Sequence, residues 1–280
     1  TSWSRAPRYV LLVGDSSWDP RNYMQQGSND FVPTKLIDTQ FMETGSDEWL
    51  ADFSNTGLPD VALGRLPGRT AADIDLMVSK ILSFEQEREL NAPLRSAVMV
   101  ADTGFESQSA ALIGLLPQGL SVQSINRSHV GNDDVARGLV SDALNQGPLM
   151  VNYFGHGSVR VWTGAGLLDT AAVTNLSNAD RLSLYVMMTC LNGYSHDASI
   201  DSLAESTLKA PNGGAVAVWA SSGFTVPPPQ FEMNAEFYRL LFGGQPVRLG
   251  EAVRFAKAAT ADLDVRRTWI LLGDPAMRIR

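Results

Sequence analysis

Five short, predominantly apolar runs, each stopping at a small or polar residue, constrain this chain more than any other feature. They are Tyr9-Val-Leu-Leu-Val13 before Gly14-Asp15, Ala97-Val-Met-Val100 before Ala101-Asp102, and Leu149-Met-Val-Asn-Tyr-Phe154 before Gly155-His156-Gly157. Leu184-Tyr-Val-Met-Met188 before Thr189-Cys190 and Ala215-Val-Ala-Val-Trp219 before Ala220-Ser221-Ser222 complete the set. Apolar runs of this length, with no alternation of polar residues, read as strands buried on both faces, as in parallel sheets. Helical patterns fall between them: Thr70 to Glu89, opened by Thr70 with Asp73 three places on; Asn132 to Gln146; Ser202 to Lys209; Phe231 to Phe242; and Leu249 to Ala261. Strands alternating with helices predict an α/β fold with a mainly parallel sheet.

At 280 residues the chain is long enough to bury a large core without metal or disulfide support. Its single cysteine, Cys190, has no partner within the chain, which leaves the redox compartment open. The 22 basic residues against 30 acidic ones give a net charge of −8, which argues against nucleic acid or an anionic membrane surface as a partner, since both need a basic face. No stretch reaches the 18 or so apolar residues of a membrane span, so no membrane insertion is expected. The chain opens at Thr1 with no signal peptide, the start expected of a processed product or an excised fragment.

A boundary is expected near Asn91-Ala92-Pro93, dividing residues 1–91 from a more regular βα unit, 92–280. Ser16 to Pro59 lacks periodicity and reads as a long ordered loop region, of the kind that is usually functional or ion-bound. Pro227-Pro228-Pro229 is the one low-complexity tract.

Reactive groups in parallel sheets collect beyond the carboxyl ends of the strands. Asp102, His156 and Cys190 all stand there. A lone cysteine often serves as a small buried hydrophobe, but Cys190 lies past its strand in Thr189-Cys190-Leu191-Asn192-Gly193, where a turn exposes the side chain. An unperturbed thiol, with a pKa of about 8.5, is mostly protonated at neutral pH, so attack by sulfur requires a base. His156, flanked by glycines that let a carbonyl approach the backbone, can supply it, with Gly157 N–H and Cys190 N–H as oxyanion donors. Asp102 is a candidate to orient the imidazole or, equally, a loop or capping carboxylate. Asp15 competes for the orienting role but sits in a turn-like Gly14-Asp15-Ser16-Ser17; His129 reads as a surface residue and His196 as a rim residue of the cleft.

Other chemistries lack their residues. There is no dinucleotide fingerprint, phosphate loop, zinc spacing or Gly-x-Ser-x-Gly elbow. No cofactor is required. A structural calcium ion is one use for Asp38, Glu43, Asp47, Glu48 and Asp52; a solvated acidic face is the other.

The chain resembles the gingipain-type cysteine peptidases, relatives of caspases, legumain and separase. The matching segments are Tyr9–Asp15, Leu58-Pro-Asp-Val-Ala-Leu-Gly-Arg-Leu-Pro67, Val151-Asn-Tyr-Phe-Gly-His-Gly-Ser158, Thr189-Cys-Leu-Asn-Gly193, Gly213–Val218 and Leu272-Gly-Asp-Pro-Ala276, in the family's order. The resemblance implies a caspase-like three-layer sandwich with helices on both faces of the sheet. It also implies a thiol endopeptidase acting on a peptide or protein substrate, exported or held at the bacterial surface. Its nucleophile maps to Cys190, its histidine to His156 and its acidic third residue to Asp102, with Gly157 and Cys190 holding the oxyanion. Glu106 is the nearest counterpart of the residue that gives arginine-specific members their preference. The family's further βα segment before Tyr9 is not in this sequence, so residues 1–91 are expected to form a partial N-terminal subdomain and 92–280 the catalytic one.

The same acyl-enzyme serves a sortase-like transpeptidase, in which an amine replaces water. The rival class is a non-catalytic caspase-like binding scaffold. An enzyme predicts an accessible, ionised thiol at neutral pH; a scaffold predicts a buried thiol of ordinary or raised pKa.

Overall fold

The computed structural model describes residues 6–27, 29–89 and 96–279. The apolar runs form strands within a residue or two of their expected limits. In chain order the first elements are β1 (Tyr9–Val13), a hairpin of β2 (Lys35–Asp38) and β3 (Glu43–Ser46), then β4 (Ala62–Leu66), helix α1 (Ala71–Glu89), β5 (Ala97–Ala101), α2 (Glu106–Ile113) and β6 (Val122–Asn126). Next come α3 (Arg127–Val130), α4 (Asp133–Asn145), β7 (Met150–Phe154), the short strands β8 (Gly157–Ser158), β9 (Val161–Trp162) and β10 (Leu168–Asp169), and α5 (Thr170–Val173). The chain closes with β11 (Ser183–Met188), α6 (Leu203–Lys209), β12 (Ala215–Ser221), α7 (Pro227–Phe242), α8 (Leu249–Ala256), α9 (Leu263–Thr268) and β13 (Trp269–Leu272).

Eight strands make one sheet in the order β1-β4-β13-β12-β11-β7-β5-β6. Every pairing is parallel except β12 with β13. Strand β13 runs against β12, while β12, β11, β7, β5 and β6 bring their carboxyl ends to a common edge. Strands β5, β7, β11 and β12 are buried at every residue. Side chains alternate between faces: Asn152 meets Tyr238 and Asn234 of α7, while neighbouring Tyr153 stacks on Trp162 at 4.4 Å between ring centroids. The first run departs from its expected burial on both faces. Strand β1 lies at the sheet edge, with Leu11 and Val13 38% and 48% exposed.

Local chemistry starts the helices where the sequence marks them. Thr70 and Asp73 exchange reciprocal bonds ahead of α1, Asn132 accepts the Val135 N–H at 3.1 Å, and Ser202 with Glu205 forms a full capping box on α6. Helix α7 starts four residues before its expected limit, because Pro227-Pro228-Pro229 is its first turn, where a missing N–H costs nothing.

The expected division at 91/92 falls outside the described residues. The parts on either side share one sheet and one core. Strands β4 and β13 meet at Arg65 and Leu272, and Lys80 of α1 donates to the Leu208 and Gly213 carbonyls at 2.7 Å each. A Cβ on Gly64 would fall on the Gly273 carbonyl and the Pro275 ring. Thus the Gly-Arg-Leu-Pro and Leu-Gly-Asp-Pro segments, two hundred residues apart, are two sides of one close backbone crossing.

The Ser16–Pro59 region is ordered as expected, but it is built around the β2–β3 hairpin and buried ion pairs. Asp47 takes two bonds from Arg65, at 2.6 and 2.7 Å, and Glu48 pairs with Lys257 at 2.6 Å. Burial alone would raise the Asp47 carboxyl; the Arg65 charge and hydrogen bonds outweigh it and hold the pKa below the ordinary range. A solvated acidic face therefore describes Asp38 and Glu43 but not Asp47 and Glu48. Nor do the five carboxylates converge as an ion cage: Asp52 accepts the Thr56 and Gly57 amides, and no group of three or more His, Cys, Asp or Glu among the described residues could hold a metal.

Candidate active site

Parallel pairing of β7 with β11 ends at Phe154 opposite Met188. His156 and Cys190 each stand two residues beyond that pair, at matching positions on neighbouring strand ends. Strand β5 on the other side of β7 ends with Ala101 opposite Phe154, and the Asp102 N–H continues the ladder to the Phe154 carbonyl at 3.0 Å. The three strand-end residues named from sequence thus come from three adjacent strands.

Backbone and ring contacts hold His156 in place. Its carbonyl accepts the Tyr153 hydroxyl at 2.6 Å and the Thr163 N–H at 2.8 Å, and its exposed imidazole packs edge-on to Phe105 at 5.2 Å. Gly155 must be glycine, since a Cβ there would lie 2.5 Å from both Asp102 Cβ and Tyr153 Oη. Hydrogen-bonded and non-bonded pairs alternate along an antiparallel ladder. With Thr163 bonded to His156, Gly157 opposite Trp162 is a non-bonded pair, and its N–H points away from β9.

Cys190 is half-buried. Its thiol donates to the Thr225 carbonyl at 3.5 Å, and burial pushes its pKa above the usual value, only partly offset by Thr225. Among the described residues no hydrogen bond joins Cys190 to His156. The turn after the sulfur is strained: Leu191 has φ 63°, a left-handed conformation that costs a non-glycine residue about 1–3 kcal/mol. Asn192 holds it there by donating to the Ser158 and Val161 carbonyls at 2.6 and 3.3 Å, which ties the cysteine turn to the histidine loop.

Asp102 is buried, and its Oδ1 accepts Thr103 N–H at 2.8 Å and Arg127 Nη1 at 3.0 Å. Among the described residues it makes no bond to His156. Its link to the imidazole runs through Phe105, whose N–H donates to the Asp102 carbonyl at 3.1 Å. Glu106 begins α2, accepting the Gly104 N–H at 3.0 Å and the Ser128 hydroxyl; the Ser128 bond lowers its pKa. Asp15, two residues beyond β1, is committed to Arg69 at 2.6 Å, and Arg69 in turn donates to the Asp197 and Ile200 carbonyls. His129 is exposed, as expected. His196 is not a rim residue: it is 2% exposed, with its Nε2 accepting the Gly45 N–H at 3.1 Å.

Residues that sequence reasoning passed over are Thr189, Arg127, Phe105 and Thr225. Thr189 is buried against Gly157, where an added Cβ would lie 2.5 Å from its Oγ1. Its position just before the cysteine was the available signal; Arg127, Phe105 and Thr225 carried none, since they act by where the chain returns.

The single mainly parallel sheet, with a histidine and a cysteine raised side by side at its carboxyl edge, defines a caspase-like α/β protein. The chain belongs to peptidase family C25, whose model matches residues 1–280. It is 29% identical over 298 residues to gingipain R2 of Porphyromonas gingivalis, covering 97% of this chain and 38% of that protein. Gingipain R1 of the same organism is also 29% identical, with 28% of its length covered. The chain therefore spans well under half the length of the curated relatives it matches. In fold it is similar to a crystal structure of the Arg-specific cysteine proteinase gingipain R, at TM-score 0.77 and 22% identity over 97% of this chain and 64% of that one. It is also similar to the Saccharomyces cerevisiae separase–securin complex, at TM-score 0.52 and 12% identity over 78% of this chain and 14% of that one.

Proposed function

We propose that this chain is the catalytic unit of a cysteine endopeptidase, working through a thioester on Cys190 with His156 as general base and acid. The observation that carries this reading is the register match of His156 and Cys190 beyond neighbouring strands in a member of family C25. Sγ attacks the peptide carbonyl carbon as the thiol proton passes to His156. The oxyanion takes the Gly157 and Cys190 amides. Collapse breaks the C–N bond as His156 returns the proton to the leaving amine. Water, deprotonated by the same imidazole, then releases the acid and restores the thiol. Losing one oxyanion donor costs about 3 kcal/mol of barrier. Asp102 places Phe105 against the imidazole through its backbone carbonyl, while its carboxylate is held by the Thr103 N–H and Arg127. An amine in place of water makes the same intermediate a transpeptidase. Action at the bacterial surface, on protein or peptide substrates, accords with the Porphyromonas relatives.

One observation favours a second reading, a binding scaffold: burial raises the thiol pKa and its proton is given to Thr225. The test is turnover of a peptide mixture by the chain and by its Cys190→Ala and His156→Ala variants, beside the pH profile of Cys190 alkylation. Turnover lost in both variants supports the peptidase. Turnover retained in Cys190→Ala overturns it. No turnover, with alkylation rising only above about pH 9 in wild type and His156→Ala alike, favours the scaffold.

A further inference from the structure

Beside the thiol lies an open cleft of about 440 Å³ lined by Phe41, Phe224 and Thr225. Thr225 is the residue whose carbonyl accepts the Cys190 thiol, so the cleft adjoins the reacting sulfur. The two aromatic walls are 50% and 43% exposed, with Val226, 38% exposed, next along the chain. No charged residue lines the cleft. The nearby Asp264 carboxylate is already engaged, by the Gln40 N–H at 2.8 Å and by Arg267 at 3.0 Å.

The cleft is preformed, although its walls come from distant parts of the chain. Phe41 sits at the tip of the β2–β3 hairpin, in a turn closed by Thr39 N–H to the Met42 carbonyl at 3.0 Å. Phe224 follows β12. The hairpin is fastened to the strand end by Thr44 Oγ1 to the Ser222 carbonyl, 2.7 Å, and by Ser222 Oγ to the Gly45 carbonyl, 2.6 Å. Gly223 leaves no room between them, with an added Cβ 3.1 Å from Thr44 Cγ2. Two half-exposed aromatic rings carried on segments fastened to each other beside a reactive centre suit an apolar side chain.

We infer that Phe41 and Phe224 form a specificity site for a large apolar side chain of the peptide substrate, close to the scissile bond. This rests on the peptidase reading for the word substrate, and on geometry alone for the apolar site. The unperiodic segment between Ser16 and Pro59 then has a function: its hairpin carries one wall of the substrate cleft. The preference differs from that of the Arg-specific structural relative. Glu106 does not line this cleft, and its carboxylate is bonded to Gly104 and Ser128.

Fluorescein-labelled Gly/Ser octapeptides carrying Leu at each position in turn, beside the same set carrying Arg, test this on the Cys190→Ala chain by anisotropy. At the best position Leu is expected to bind at least about tenfold more tightly than Arg. Phe41→Ser and Phe224→Ser are each expected to remove most of that advantage without lowering the melting temperature, because both rings are half-exposed. No Leu preference, a preference retained in both variants, or no binding by any peptide overturns the inference. Wild-type cleavage of the same peptides reads the peptidase proposal separately. Leu peptides bound but never cut leave the apolar site standing and remove the peptidase. Peptides cut without regard to Leu do the reverse.

Discussion

The Gly45 N–H donates to His196 Nε2 at 3.1 Å, joining the β2–β3 hairpin to the segment that follows Cys190. Burial drives the His196 pKa down to about 4, against the opposing pull of Asp47 and Asp197. An unfolded histidine titrates near 6.5, so this group's contribution to stability is complete above that pH and is lost as pH falls towards 4. Wild type is expected to lose about 2 kcal/mol through this group between pH 7.5 and 5.0. Urea unfolding of wild type and His196→Gln at both values checks it: the variant should be less stable at pH 7.5, and the gap should narrow by that amount at pH 5.0.

Gly157→Ala is expected to cut kcat at least a hundredfold while the sheet stays folded, because its Cβ would stand 2.5 Å from Thr189 Oγ1 and displace the proposed oxyanion donor. Adding Thr189→Ala removes both the Oγ1 and the Cγ2 in the way, at 2.5 and 3.1 Å, and should recover part of the loss. A double variant no better than the single one would show that the glycine matters for another reason. Steady-state kinetics with circular dichroism on wild type and both variants decides.

Arg65 is fully buried and gives its guanidinium to Asp47, with further bonds to the Gly14 and Val32 carbonyls at 2.7 and 2.8 Å. Asp47→Ala leaves that charge unpaired in the core and should cost about 3–5 kcal/mol. Denaturant unfolding reads it directly, and a loss below 1 kcal/mol would mean that water reaches the guanidinium.

Tyr153→Phe removes the hydroxyl that donates to the His156 carbonyl. That oxygen keeps the Thr163 N–H, so it is not orphaned, and stability should fall by only about 1 kcal/mol. Turnover should fall further than stability, since the His156 carbonyl loses one of its two donors. Equal kcat in the variant and wild type would show that the Tyr153 bond is not needed to position the loop.

Much of the fold was legible because its signals are local. Continuous apolar runs mark strands such as β7 and β11, buried at every residue, and Thr70, Asn132 and Ser202 mark helix starts by bonds to amides three residues on. The candidate site was legible for a related reason: strand ends carry side chains out of the sheet, and Asp102, His156 and Cys190 all follow such runs. The Phe41–Phe224 cleft was not legible, because neither aromatic differs in local sequence from a surface residue, and they meet only through bonds between residues 178 apart.

The sequence by itself determined five strands of the main sheet, the starts of the capped helices and the residues that stand beyond those strand ends, since periodic burial and capping act within a few residues; it marked neither the short strands β8–β10 nor the end of α8, which stops at Ala256 rather than Ala261. The tertiary structure alone decided the strand order that places His156 beside Cys190, the reversal at β13, and the edge position of β1. It alone buried Asp47 with Arg65, Glu48 with Lys257 and His196 with Gly45. A charge or imidazole enters a core only when a partner is waiting there, and partners such as Glu48 and Lys257 lie far apart in the chain, beyond the reach of any local pattern.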